Sequence, residues 1–170
     1  MNRNDSVSQI LTFVAANERY GMNLGEIDEV LFMMSFQDLP NMPSFVKGVI
    51  NLRGLLIPVL DVCERLSRPR AEIPPQSKSD SVYPKTARML LLAAKEKQFV
   101  LIVDEVERIH AVQNKELHPI QTDTSEARSF LSTMWLDNGV MVPLMEGPKL
   151  LADSDWSKLP HSASSAPTNA

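Results

Sequence analysis

The chain has a single cysteine, Cys63, among its 170 residues. That excludes an internal disulfide framework and any multi-cysteine zinc site, and it points to a reducing, cytoplasmic setting. Glycine is scarce, and none of the six falls in a GxxxxGK(S/T) phosphate loop, a GxGxxG turn or a GxSxG elbow. Positive charge is in deficit: 17 Lys and Arg stand against 21 Asp and Glu, a formal charge of −4. Nucleic acids and anionic membranes are held mainly by excess Lys and Arg, so neither is an expected partner. Long hydrophobic runs are absent too. The longest, Met89 to Ala94, is six residues, where a spanning helix needs about 20, so no membrane insertion is expected. Arg3 ahead of Ile10 to Ala16 has the outline of a short signal peptide, but Asp5 interrupts the charged region and the stretch reads as a first strand.

The chemistry-bearing residues are sparse. His110, His118 and His161 form neither HExxH nor His-x-His spacing, so no metal and no other cofactor is expected. Cys63, between Val62 and Glu64 with no base at motif spacing, reads as a small buried hydrophobe. The acidic groups Glu26, Asp28 and Glu29, and Asp104, Glu105 and Glu107, lack the metal ligands or aromatic platforms that acid–base work would need, and read as solvated. The expectation is a protein that is not an enzyme.

What is present is a succession of short apolar, β-branched runs bounded by turn residues. Ile10 to Ala15 and Tyr20 to Leu24 read as a hairpin, and Ile27 to Phe32 as a third strand. Ser44 to Gly48, after Pro43, reads as one or two helical turns. Val49 to Leu52 and Leu55 to Leu60 flank a turn at Arg53-Gly54, where Gly54 supplies a positive φ. Pro58 cannot donate to a ladder, which predicts an edge or bulged position. Asp61 to Leu66 reads as a short helix capped by Asp61. Ser67 to Thr86 holds four prolines, with Arg65, Arg68, Arg70, Lys78, Lys85 and Arg88 in or beside it, and reads as a solvated linker. Asp153 to Ala170 reads as a disordered tail, with Trp156 its one candidate for packing on the core.

The halves repeat. A shift of 79 residues lays Ile10–Val30 on Met89–Ile109, matching Phe13 with Leu92, Tyr20 with Phe99 and Ile27 with Val106. Leu55 to Asp61 likewise echoes Val140 to Glu146, each a proline between apolar triplets ending in a carboxylate. Two similar all-β subdomains follow, most economically as small barrels, which leave no exposed edges.

The stretch Val46-Lys47-Gly48-Val49-Ile50-Asn51-Leu52-Arg53-Gly54-Leu55-Leu56-Ile57-Pro58-Val59-Leu60-Asp61 resembles the signature of the CheW-like family, the coupling proteins of bacterial chemotaxis. Tyr20-Gly21-Met22, Glu26 to Val30, Leu101 to Val106 and Leu117 to Ile120 extend the likeness over residues 8–152. The resemblance implies an all-β fold of two SH3-like five-stranded β-barrel subdomains around a shared hydrophobic seam, with short helices and a C-terminal helix or tail. The expected division is 20–66 plus a returning C-terminal segment, and 87–145, with linker 67–86 and tail 153–170. It further implies a non-enzymatic adaptor that joins the cytoplasmic tip of a chemoreceptor to the regulatory domain of a CheA-type histidine kinase. Such an adaptor is cytoplasmic, a monomer in isolation, and assembled in arrays with its partners.

A receptor tip is a helical hairpin and would lay an apolar face into a groove between the barrels. Ile27, Val30 and Leu31, with Val100 and Leu101, are the candidate lining, and each reads equally as barrel core. Arg53 with Glu29 is either a salt bridge fixing the hairpin or a polar anchor at the groove edge, or both. Gly48, Asn51, Gly54, Pro58, Asp61 and Asp104 complete the motif as structural residues. Departures from the family pattern gather in the second half: Val100 and Ser132 stand where glycine is common, and Leu144-Met145-Glu146-Gly147-Pro148 replaces the closing LLD. They keep open an adaptor that binds kinase but not receptor, or that serves a pilus-based pathway. A small-molecule sensor using the inter-barrel cleft is the remaining alternative.

Overall fold

The computed structural model describes residues 6–70, 82–94, 96–121 and 129–159. Residues 71–81 of the expected linker, Lys78 among them, and 160–170 of the expected tail lie outside these. Among the described residues, eleven strands form two sheets. The first sheet holds β1 (Val7–Ala15), β2 (Glu18–Asn23), β8 (Glu105–Gln113), β9 (Leu117–Pro119), β10 (Leu131–Asp137) and β11 (Val140–Met145), in the order β8-β1-β2-β11-β10-β9. The second holds β3 (Ile27–Phe32), β4 (Val46–Leu52), β5 (Leu55–Asp61), β6 (Arg88–Ala94) and β7 (Lys97–Val103), in the order β3-β6-β7-β5-β4. Two short helices, α1 (Val62–Arg65) and α2 (Asp153–Trp156), complete the fold.

The two orders are the same order. Strands β3, β6, β7, β5 and β4 of one sheet correspond to β8, β1, β2, β11 and β10 of the other. The register repeats residue by residue: Ile27 faces Leu92 as Val106 faces Phe13. In the parallel pairs, Leu60 faces Leu101 as Met145 faces Met22. The offset is 79 residues over the leading strands and 85 over β4–β5 and β10–β11.

The division expected at the linker is corrected by this pairing. Each barrel takes its central hairpin from one half of the chain and its remaining strands from the other. The hairpin β1–β2 finds its partners in β8 and β11, and β6–β7 finds them in β3 and β5, so neither half closes a barrel alone. Closure comes where the chain leaving β3 bends back on β4 through a Gln37–Val49 bridge, and where the chain leaving β8 reaches β10 as the short strand β9.

Three other expectations are corrected. Residues expected as helical turns at Ser44–Gly48 enter β4 instead, because Val46 is buried and pairs with Leu60. Pro58 is in neither an edge strand nor a bulge. Strand β5 lies between β7 and β4, but its pairing with β7 begins only at Val59, so the missing N–H of Pro58 has no ladder bond to lose. Pro143 uses the same device, with pairing to β2 beginning at Leu144. Residues 153–159 are ordered rather than a disordered tail. Trp156 sets its ring edge-on to Phe99 at 5.9 Å, and Leu159 is buried.

The apolar residues sort into three clusters. Ile50, Ile57, Val59, Met89, Leu91, Val100 and Ile102 fill one barrel, and Ile10, Val112, Trp135, Val142 and Leu144 the other. The largest cluster lies between them and draws Phe13, Met22, Leu60, Leu90, Phe99, Leu101, Phe130 and Leu150 from both sheets. This is the shared seam. The outward faces of the central strands are therefore covered as fully as the inward ones.

Candidate functional site

The hairpin β4–β5 turns through Arg53 and Gly54, at φ 54° and 84°. Two positive φ values in a two-residue loop are the geometry that suits the right-handed twist of the flanking strands. The Asn51 side chain tightens the loop by accepting the Gly54 N–H at 2.9 Å. An arginine is out of place there, since a residue with a Cβ in the left-handed region is strained by about 1–2 kcal/mol. Its guanidinium reaches back to β3, where Nη2 donates to both carboxylate oxygens of Glu29 at 3.1 and 2.8 Å. Arg53 is 69% exposed, so this pair stands in solvent at the barrel end.

Exposed apolar residues flank the pair in sequence. Val30 follows Glu29, Leu55 and Leu56 follow Gly54, and all three are exposed, at 45%, 50% and 47%. Val30 pairs with Leu90, a seam residue, and so marks the seam's outer edge. Phe32, two positions on, is 77% exposed with the Arg88 guanidinium 4.9 Å from its ring centre. Ile27 is half-buried against the seam, and Leu31 is half-buried against the barrel interior. Val100 and Leu101 are fully buried on either face of β7, one in the barrel and one in the seam, and no partner reaches them. Their place in a groove lining is corrected: β7 is a central strand with both faces covered.

The remaining motif residues hold the frame. Gly48 lies where the barrel closes, and a Cβ there would sit 2.1 Å from the Gln37 carbonyl oxygen. Asp61 caps α1 through the N–H groups of Cys63 and Glu64. Asp104 accepts the Ala16 N–H at 2.9 Å. Burial pushes the Cys63 thiol up to about 12, which makes it inert as a nucleophile at neutral pH. Most of the carboxylates read as solvated are individually engaged: Glu26 accepts from Gly147 N–H, Asp28 from Gln98 and Glu107 from Arg19, while Glu105 is exposed. His110 stacks edge-on to Trp135 inside a barrel, and His118 lies exposed on β9. Among the described residues no three His, Cys, Asp or Glu groups could hold a metal ion. Nor is any described helix long and apolar enough to cross a membrane.

The linker arginines escaped sequence reasoning. Arg65 lies between the Phe45 and Phe130 rings, Arg68 pairs with Glu18, and Arg70 is half-buried between Asp61 and Asp104. In a proline-rich basic run they look solvated. Only the repeat held a hint, since Phe45 and Phe130 occupy equivalent positions before β4 and β10.

A second exposed apolar surface lies at the end of the other barrel. Ile109, Val140 and Met141 are the repeat equivalents of Val30, Leu55 and Leu56, and they are 51%, 58% and 51% exposed. The turn between Val140 and Asp137 is made by Asn138 and Gly139, at φ 49° and 87°.

Known proteins resemble the chain over most of this frame in two cases and over about half in a third. The chemotaxis protein CheW of Rhizobium meliloti is 28% identical over 141 residues, 81% of this chain and 83% of that protein. Protein PilI of Pseudomonas aeruginosa is 36% identical over 83 residues, 49% of this chain and 41% of its own length. Among solved structures, the scaffolding protein TtCheW of Thermoanaerobacter tengcongensis has the same fold, with a TM-score of 0.74 and 22% identity over 91% of this chain and 94% of its own. The model of the CheW-like domain matches residues 9–155, and the chain belongs to the CheW-like family.

Proposed function

We propose that the protein is a non-enzymatic scaffold of a bacterial chemosensory array. It binds the cytoplasmic tip of a chemoreceptor at one barrel and the regulatory domain of a CheA-type histidine kinase at another surface. The observation that carries this reading is the Glu29–Arg53 pair. A strained arginine held in solvent at a hairpin end, with exposed Val30, Leu55 and Leu56 next to Glu29 and Gly54 in sequence, does little for the fold and much for a partner. An amphipathic helical hairpin fits it, with apolar side chains on Val30 and Leu55 and a polar group on the exposed guanidinium. The Val140–Met141 surface of the other barrel serves the kinase, a second partner on a second face. Coupling then works by position alone, within the cytoplasm.

Calorimetric titration with a soluble receptor tip and, separately, with the kinase regulatory domain tests this. Binding to both, with receptor binding alone lost in a folded Arg53→Ala variant, is expected. A wild type that binds neither would leave the fold without the adaptor role. A second reading, service in a PilI-type pathway, is favoured by the 36% identity to that protein. It predicts the stronger heat from receptor and kinase domains of that system.

A further inference from the structure

We infer that Arg70, Asp61 and Asp104 form an ionic latch that pins the connection between the two halves, at both its ends, to the point where the chain crosses from one sheet to the other. Arg70 donates from Nη1 to Asp61 and from Nε to Asp104, each at 2.5 Å, with 14% of its side chain exposed and 1% of that of Asp61. Asp61 ends β5, and Asp104 is the single residue between β7 in one sheet and β8 in the other. The far end of the connection returns to the same place. The Tyr83 ring lies 4.7 Å from the Arg70 guanidinium carbon. Thr86 Oγ1 donates to the Asp104 carbonyl at 2.7 Å.

The latch reaches both sheets. Asp104 accepts the Ala16 N–H from the β1–β2 turn of the first sheet, and the Cys63 thiol from α1, which continues β5 of the second. Burial opposes the guanidinium charge, but the two carboxylates outweigh it and hold Arg70 protonated. The repeat supplies an internal comparison. Glu146 is the equivalent of Asp61, and it bonds Ser132 and a Lys149 that is 49% exposed. The fold therefore does not require an enclosed arginine at this corner. It is present only where the connection between halves begins.

Cys63 is buried beside the latch and is the only cysteine of the chain, so its reactivity reports on opening. The experiment measures the rate of Cys63 modification by a chromogenic disulfide reagent in the full chain at rising sub-denaturing urea. Global stability is measured alongside by circular dichroism. In the wild type the thiol reacts only through global unfolding, and the rate climbs with urea from the start. In Arg70→Gln the rate at zero urea is expected to rise at least tenfold beyond what its global stability accounts for, with little urea dependence at first. That pattern is local opening. Asp104→Asn, which keeps acceptors for Ala16 and Cys63, is expected to do the same, and the double variant to react no faster than the faster single one. A labelling rate that follows global stability in both single variants would overturn the latch. So would effects that multiply in the double variant. Should Arg70→Gln not fold, Asp104→Asn alone decides between local and global opening.

Discussion

Arg65 offers a quantitative test of how the two halves are joined. Its guanidinium carbon lies 5.0 Å from the Phe45 ring centre and 4.4 Å from that of Phe130, and its Nε donates to the Leu150 carbonyl at 2.9 Å. Phe45 and Phe130 are repeat equivalents: their carbonyls receive the N–H groups of Asp61 and Glu146 respectively. One cation thus bridges matching residues of the two halves and also fixes the returning C-terminal segment. Each ring contact in a half-buried setting is worth about 1 kcal/mol, and a hydrogen bond from a charged donor about 1.5–3 kcal/mol. Burial of the charge, which pulls the Arg65 pKa down, offsets part of this. The net expectation for Arg65→Leu is a loss of about 2–3 kcal/mol, a fall in Tm of roughly 4–12 °C for a chain of this size. Urea unfolding followed by tryptophan fluorescence measures it. Arg65→Lys, which keeps the charge but not the planar stacking face, is expected to fall between the two. Combining Arg65→Leu with Phe130→Leu tests the coupling, because the double variant should lose less than the sum of the singles. Strict additivity, or an Arg65→Leu stability equal to wild type, would refute the bridge.

Other perturbations probe the frame and the exposed turn. Gly48→Ala is expected to cost about 3 kcal/mol, because its Cβ would meet the Gln37 carbonyl where the barrel closes, and the urea midpoint reports it. Arg53→Gly should leave stability unchanged or raise it by about 1 kcal/mol, since relief of the left-handed strain outweighs an exposed ion pair. The same variant should abolish receptor-tip binding, so a calorimetric titration that still shows full heat would count against Arg53 as anchor. Alkaline pH separates a third effect. The Cys63 thiol is raised in the folded state to about 12, so its contribution is fully present below the ordinary thiol range and is lost as pH rises through 9 toward 12. Urea midpoints between pH 9 and 12 should therefore fall more steeply in the wild type than in Cys63→Ala.

How far the sequence carries the fold depends on how local each signal is. Alternation and turn chemistry placed the strands, the Arg53-Gly54 loop and the Asp61 cap, because each is settled within a few residues. The repeat was visible because equivalent strands keep equivalent apolar positions. The exchange of hairpins between barrels was not, since periodicity says which face of a strand is buried and nothing about which half supplies its neighbour. Val100 and Leu101 were misplaced for a related reason. The run Phe99 to Val103 has no polar alternation, and a strand buried on both faces gives no clue to which residue meets a partner. Arg65 and Arg70 were hidden by their company, since a cation in a proline-rich segment looks solvated until the rings and carboxylates that receive it are brought in from elsewhere in the chain.

The repeat also separates what the backbone demands from what a partner demands. Both barrels need a two-residue turn at positive φ, and the second uses Asn138-Gly139, a pairing suited to that geometry. The first uses Arg53-Gly54 in the same conformation. The backbone does not ask for arginine there, and an ion pair this exposed returns too little to explain it. The strand position opposite shows the same asymmetry: Glu29 stands where the repeat has Arg108, while the neighbouring Val30 and Ile109 stay apolar and exposed in both halves. What the two halves share is therefore what closes a barrel and leaves an apolar surface at its end. Where they differ, at Glu29 and Arg53, the charge pattern on one of those surfaces is set, and that is the difference the proposed receptor contact would read.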